Sequence, residues 1–464
     1  MLAPALDRLA RQGFLKSAHE NATLLHSEQV EFDFLTDSLQ QQAGDWGLPP
    51  SAAAAFARPA AADVEELLGS LFGFPYHILL GQGRQAEALL ARLCARPGSL
   101  VPTNLAFPTT RLHQELQGAR SVEALTPEAY APGQPFPFKG NLDLELVEAL
   151  IQRHSPKQIS YVCVELCANG LGGQPVSLAN LRAVRLLTRR HGIPFFLDAT
   201  RILENAHQIR NLEPGCQARP IWELVREICA LADGLTMSLT KDFATPLGGL
   251  VACRDEGLYQ GGLDVAMAMG DGLSVSAKRS IATALRLAQG DTSYIEQRMA
   301  LVGTLHSGLL ARSIPVLQPA GGHAVVVLLD GLLDHLSAGA FPAHALNRVW
   351  YEELGIRGAP HLGAGQANAD ALGLFRLAIP ILKYSEAHLD EVLRRLEAWY
   401  PTRRHTAGLR QVYAPPVPGG AFRAWLAPVH SGRPGEETGK IHAAACAPAA
   451  VLADAGSAVQ SANS

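Results

Sequence analysis

Between residues 157 and 253, short apolar runs alternate with stretches whose apolar residues recur every three or four positions. QISYVCVEL (158–166), IPFFLDA (193–199) and LADGLTMSL (231–239) have the length and near-continuous apolar character of strands buried on both faces. SLANLRAVRLLTRRHG (177–192) carries helical spacing and closes on a glycine suited to a C-cap. Earlier, YHILLGQGRQAEALLARLCA (76–95) reads as a strand, a glycine turn and a helix. SAAAAFARPAAADVEELLGSLFGF (51–74) passes from an alanine–proline stretch into an amphipathic helix. Strands that alternate with helices predict an α/β architecture, a mainly parallel sheet with helices on both faces.

After residue 290 the rhythm changes. SYIEQRMALVGTLHSGLLARSI (293–314) reads as a helix, AVVVLLDG (324–331) as a strand and HLDEVLRRLEAWY (388–400) as another helix, the pattern of a separate α+β unit. The expected organisation is an N-terminal arm over 1–45, a large domain over 46–290, a smaller α+β domain over 291–415 and a flexible tail over 416–464. The tail is expected because its Ala, Ser, Gly and Pro offer little surface to bury.

Composition narrows the function classes. The 464 residues carry a net charge of -4, with 48% apolar and 18% charged residues. That is a globular composition with no basic field to hold nucleic acid, so a small-molecule ligand is expected. No apolar run reaches the length of a membrane helix, and charges interrupt the first residues as they do not in a signal peptide. The seven cysteines are scattered without metal-site spacing: Cys163 and Cys167 lack a nearby partner pair. Free buried thiols in a reducing cytoplasm are the expectation, with no metal.

Four pieces carry candidate chemistry: GQGRQAE (81–87), NGLGGQPVS (169–177), FLDATR (196–201) and TMSLTKD (236–242). Lys241 follows a strand and a Ser/Thr turn, where an amine can form a Schiff base with an aldehyde cofactor and later move a proton at a substrate's α-carbon. As easily, it is a surface lysine. Asp198 ends an apolar strand, where a carboxylate can keep a pyridine nitrogen protonated or simply cap a helix. Arg201, three residues on, can reach a phenolate oxygen or pair with Asp198. Gln82, Gly83 and Arg84 open a helix whose free N–H groups and dipole favour an anion, and Arg84 adds a forked donor suited to phosphate. Ser238 can donate a hydroxyl to the same group.

Taken in order, these pieces resemble the β-eliminating lyase family of tyrosine phenol-lyase and tryptophanase, which use pyridoxal 5'-phosphate. The resemblance runs from LTDS (35–38) to about residue 415. It is densest over 172–210 and continues through ADGLTMSLTKD, PLGGL, YIEQR, AGGHAVVVL and FRLAIP. It implies the aspartate-aminotransferase type of fold (fold type I) and a homotetramer with active sites shared between subunits. It also implies roles for residues. The cofactor lysine falls on Lys241, the ring-nitrogen carboxylate on Asp198, and the phenolate partners on Asn169 and Arg201. The phosphate cradle falls on Gln82, Gly83, Arg84 and Ser238, and the stacking ring on Phe107. The substrate carboxylate fork falls on Arg376, helped by Thr36, Ser38 and Asn169.

The departures cluster at the leaving-group end. The family's lysine directly before the cofactor lysine is Thr240. Its acid tyrosine falls near Ala55, and no tyrosine occurs between 39 and 75. The polar residue after the stacking phenylalanine is Pro108. The phenol-recognising arginine falls near His361, a candidate replacement acid because imidazole donates a proton near neutral pH. Of the paired C-terminal phenylalanines only Phe422 stands. Two positions that hold a monovalent cation become Leu39 and Pro246, and a third falls in the alanine run. The expected function is a pyridoxal phosphate enzyme that removes the α-proton of an amino acid, with β-elimination or β-substitution at the side chain. The expected substrate is neither tyrosine nor tryptophan. Two alternatives stand beside it: a remodelled biosynthetic reaction (retro-aldol, replacement or oxidation), and a non-catalytic pyridoxal phosphate-binding protein.

Overall fold

A computed structural model describes residues 6–38, 64–270, 272–362, 373–415 and 423–429, with the backbone alone at 361 and 362. Its large sheet has seven strands: β1 (Tyr76–Leu80), β2 (Leu100–Thr103), β3 (Arg120–Glu123), β4 (Val162–Glu165), β5 (Phe195–Asp198), β6 (Gly234–Ser238) and β7 (Gly249–Cys253). Their spatial order is β1-β7-β6-β5-β4-β2-β3. β2 to β6 run parallel, and β7 lies antiparallel between β6 and β1. Every residue of β4 and β5 is buried, which explains their continuous apolar runs. The Ser177 hydroxyl caps the helix Leu178–His191 by accepting from the Asn180 N–H, and Gly192 ends it at φ 65°. Leu181 and Val184 of this helix share a core with Val164, Leu197 and Leu235 of the sheet.

Parallel strands put like ends together, and this sets the site. In register, Glu165 lies beside Asp198 and Asp198 beside Thr236, so β4, β5 and β6 deliver their carboxyl-terminal residues to one edge. Loops at that edge of a parallel sheet form the usual ligand crevice.

A second, antiparallel sheet has the order β9-β10-β8, from β8 (Ala324–Leu328), β9 (Ala359–Leu362) and β10 (Gly373–Ala378). Its core joins Phe375 to Val302, Trp350 and Leu396 of the helices Ser293–Ala311, Pro342–Leu354 and Glu386–Trp399. The first residues are built into this core. Phe32 and Phe34 are buried in it, and Phe32–Asp33 pairs in parallel with Ile356–Arg357. Asp33 then accepts two hydrogen bonds from Arg357, at 3.0 and 2.7 Å. An arm read from mixed composition is therefore anchored by two aromatic residues and a buried ion pair. At the other end, β11 (Leu409–Tyr413) pairs with β12 (Trp425–Pro428), so regular structure reaches beyond the 416 limit at which the tail was expected to begin. Leu426 and Ala424 are buried beside Leu409, the apolar contact that the surrounding Gly and Pro hid.

Candidate active site

Lys241 lies three residues past the end of β6. Its Nζ donates to Thr36 Oγ1 (3.1 Å) and Ser38 Oγ (2.5 Å) and lies 3.3 Å from Asp37 Oδ1. Burial pushes its ammonium down to about 8, although Asp37 pulls the other way. Three consecutive residues, Thr36, Asp37 and Ser38, thus hold an amine 203 to 205 positions further along the chain.

Asp198, at the end of β5, accepts from the Thr200 N–H at 3.1 Å. Burial raises its carboxyl, against the bonds from Thr200. Arg201 pairs with Asp37, not with Asp198: Nε meets Oδ2 at 2.8 Å and Nη2 meets Oδ1 at 3.0 Å. Burial works against the charge of Asp37, yet Arg201 and Lys241 hold its carboxyl well below the usual range. Glu165, beside Asp198 in the sheet, accepts from the Asn169 N–H at 3.2 Å through one oxygen, and its other oxygen has no partner. Burial and the nearby Asp198 push it well above the ordinary carboxyl range.

Asn169 joins three side chains. Its Oδ1 accepts from Arg201 at 3.1 Å and from the Arg376 guanidinium, and lies 3.2 Å from His323 Nε2. His323 Nδ1 lies 2.9 Å from Glu204, which pairs with Arg298. Arg298 also meets Asp242, the residue after Lys241, at 3.2 Å. Burial lowers the His323 imidazole to about 4 and the Arg376 guanidinium to about 10. Arg376 Nε is buried with no hydrogen-bond partner. A buried donor without an acceptor is costly and marks where a ligand oxygen can sit.

The candidate anion cradle lies where β1 passes through Gly81 into the helix Gly83–Cys94. The first turn of that helix leaves amide N–H groups without helical acceptors. Gly83 approaches Ser238 so closely that a Cβ would lie 2.5 Å from the Ser238 Cβ. Ser238 Oγ lies 2.9 Å from Thr240 Oγ1, so the residue in place of the family's lysine joins a hydroxyl pair at the cradle. Gln82 and Arg84 are exposed, and the Arg84 guanidinium acts electrostatically on Glu87 and His113. Phe107 is half-buried at the start of the helix Pro108–Leu116. Behind it, Thr109 Oγ1 donates to Glu87 at 2.5 Å, and burial, then Asp198, pushes the Glu87 carboxyl up to about 8.

Of the residues singled out from the sequence, Thr36, Ser38, Asn169, Arg201, Lys241 and Arg376 are thus joined by hydrogen bonds and ion pairs through Asp37 and Asn169, and Gly83 meets Ser238. His361 is placed by backbone only, in β9 opposite Leu374, with Ala359 opposite Arg376. Its side chain, Leu39, Ala55 and Phe422 lie outside the described residues. Pro108 is the first residue of its helix and Pro246 is exposed. Sequence reasoning missed Asp37, Glu165, Glu204, His323, Arg298 and Asp242. One signal was available: Asp37 sits between two residues already chosen, and Asp242 directly follows Lys241.

Solved structures share this architecture at low identity. The Leishmania major threonine aldolase aligns with a TM-score of 0.56 over 79% of this chain and 99% of its own, at 15% identity. The fold is the type I fold of pyridoxal phosphate-dependent enzymes, a class whose cofactor needs an amine, a ring-nitrogen carboxylate and an anion cradle. The β-eliminating lyase profile matches residues 53–394, and the chain belongs to that family. Tyrosine phenol-lyase of Symbiobacterium thermophilum is 38% identical over 423 residues, 88% of this chain and 92% of that protein. Tyrosine phenol-lyase of Lacrimispora saccharolytica is 37% identical over 429 residues, 89% and 92% respectively. Family and fold together support a pyridoxal phosphate-dependent lyase. The residues fit that cofactor on the structure's own terms: Gly83 gives a cradle that a Cβ would fill, and the donor set around Asn169 is cationic.

Proposed function

We propose that this protein is a pyridoxal phosphate-dependent lyase that acts on an α-amino acid by β-elimination or β-substitution, with a substrate other than tyrosine or tryptophan. The observation that carries the reading is the gathering of Lys241, Arg201 and Arg376 about Asp37 and Asn169, with a buried Arg376 Nε that has no protein acceptor. Three cations around one contacting carboxylate suit a site completed by a phenolate and a substrate carboxylate.

When bound, pyridoxal phosphate supplies an electron sink that lowers the barrier to breaking bonds at the substrate's α-carbon. Lys241 would hold the cofactor's aldehyde carbon, and its amine would be the base for the α-proton. Asp198 would face the ring nitrogen and favour its protonated form, and Asn169 and Arg201 would hold the phenolate oxygen. Gln82, Gly83, Arg84 and Ser238 would hold the phosphate, and Phe107 would supply the aromatic face beside the ring. Arg376, with Thr36, Ser38 and Asn169, would hold the substrate carboxylate and so orient the α-carbon. His361 is the candidate acid for the leaving group. On the family's pattern the working form is a cytoplasmic homo-oligomer with shared active sites.

The substrate assignment rests on the absence of tyrosine from 39–75 and on Pro108, which offers no side-chain donor. Pyruvate release from tyrosine, tryptophan and an S-alkyl cysteine, compared at equal concentration, tests it. Fastest turnover of the cysteine derivative is expected; tyrosine or tryptophan in front overturns it. Release from none of the three favours a remodelled reaction.

A further inference from the structure

Asp37 is 1% exposed, yet its carboxylate touches two of the cations of the site. It takes Nε and Nη2 of Arg201 in a fork, and its Oδ1, already shared with Nη2, lies 3.3 Å from Lys241 Nζ. The charged groups that face Lys241 are Asp37 from the N-terminal segment, Arg201 from the loop after β5 and Arg376 from β10. Arg298, further out, adds to the field on Asp37 itself, and the His323 imidazole lies nearby. Asp37 is the anion of this group, and its two immediate neighbours, Thr36 and Ser38, take hydrogen bonds from the same Nζ.

Resting on the function proposed above, we propose that Asp37 is a positioning residue: it aims Arg201 at the cofactor and holds a proton on the Lys241 nitrogen against two neighbouring guanidiniums. Both effects come from one carboxylate. The fork leaves Arg201 little freedom to turn, because two parallel hydrogen bonds fix a planar group in direction as well as distance. The contact with Nζ supplies the negative charge that a buried lysine nitrogen needs to stay protonated beside other cations. A protonated nitrogen makes the linked cofactor carbon more electrophilic toward an incoming substrate amine. Burial works against this proton, and Asp37 is the largest group that works for it. An asparagine keeps the size of Asp37 but removes the charge.

The test uses the full chain loaded with pyridoxal phosphate, as native, Asp37→Asn and Asp37→Glu proteins. Borohydride reduction and peptide mapping first locate the cofactor. Absorbance of the bound cofactor against pH then gives the midpoint at which the lysine-linked nitrogen loses its proton. Asp37→Asn is expected to keep the link and to lower that midpoint by about one pH unit or more, a roughly tenfold loss of proton affinity. Asp37→Glu is expected to restore part of it. An unchanged midpoint with the cofactor on Lys241 overturns the proposal. Native protein with no cofactor on Lys241 overturns instead the reading on which it rests. A second variant guards against misfolding of Asp37→Asn. In cofactor-free Arg201→Gln a repelling cation is lost while Asp37 remains, so Lys241 should resist acetylation up to higher pH than in the native protein. Resistance that is unchanged, or that ends at lower pH, overturns the proposal.

Discussion

Gly83 and Ser238 approach so closely that no side chain fits between them: a Cβ on Gly83 would lie 2.5 Å from the Ser238 Cβ and 3.1 Å from its Oγ. The helix start and the end of β6 meet at this contact, and the cradle is the space they enclose. Gly83→Ala should therefore push the helix start and Ser238 apart. Cofactor affinity, followed by absorbance titration with pyridoxal phosphate, should fall by about tenfold or more, each tenfold being about 1.4 kcal/mol. Because the helix body packs through Ala86, Leu89 and Leu90, thermal stability without cofactor should change much less. Undiminished affinity would place the phosphate elsewhere.

The assignment of Lys241 predicts a covalent bond. Reduction of the loaded protein with borohydride should fix the cofactor on this residue, and Lys241→Ala should lose the bond while still holding the cofactor through Arg84 and Asp198. Peptide mapping decides the matter, and the label on Lys157, Lys278 or Lys383 would refute it.

Arg376 has one guanidinium nitrogen on Asn169 and a buried Nε with no acceptor. The lysine variant keeps the charge but loses the fork. Arg376→Lys should weaken amino-acid binding well beyond about tenfold, read from the spectral change of the bound cofactor on titration with substrate. Equal affinity in the variant would move the carboxylate site.

A pH effect follows from His323. Its imidazole is fully buried and lowered to about 4, mainly by burial. A histidine that is neutral when folded and titrates near about 6.5 when unfolded contributes stability above that value, and the contribution is lost as pH falls from there toward 4. At pH near 5 the native protein should take up about one proton more on unfolding than His323→Gln does. Thermal melts of both proteins across that interval give the difference in slope, and parallel slopes would contradict a neutral His323.

Potassium should matter little to this protein. Pro246 is exposed and offers no side-chain oxygen where the family's pattern places a cation ligand. A hard cation needs several oxygen donors at set distances. Turnover in potassium and in sodium salts of equal ionic strength should agree, and strong selective activation by potassium would count against this view.

The large sheet was legible because its strands are short, buried on both faces and separated by capped helices. IPFFLDA became β5, and Gly192 closes its helix with a positive φ as the sequence suggested. The chemistry at strand ends was legible for the same reason: a charged residue that ends an apolar run has to point into a crevice. What could not be read was pairing at long range. Arg201 has two carboxylates within reach in principle, one three residues away and one 164 residues away, and the structure chooses the distant Asp37. The chain Asn169–His323–Glu204–Arg298–Asp242 is likewise assembled from residues with no common spacing. The anchoring of Phe32 and Phe34 depends on a two-residue ladder with Ile356–Arg357, too short to leave a periodic signature.

That ladder has a consequence for biogenesis. Translation delivers Phe32–Asp33 near the start, and Arg357, which Asp33 meets, comes 324 residues later. For most of synthesis the segment that carries Thr36, Asp37 and Ser38 has no partner strand to hold it. A ribosome-bound chain that ends before residue 356 holds the residues of the seven-stranded sheet and of the Arg201–Asp37 pair, but lacks the strand with which Phe32–Asp33 pairs. Contacts of such wide separation form late and slowly. The backbone ladder that anchors the segment before Thr36, Asp37 and Ser38 thus becomes available only once residues 356 and 357 have been made.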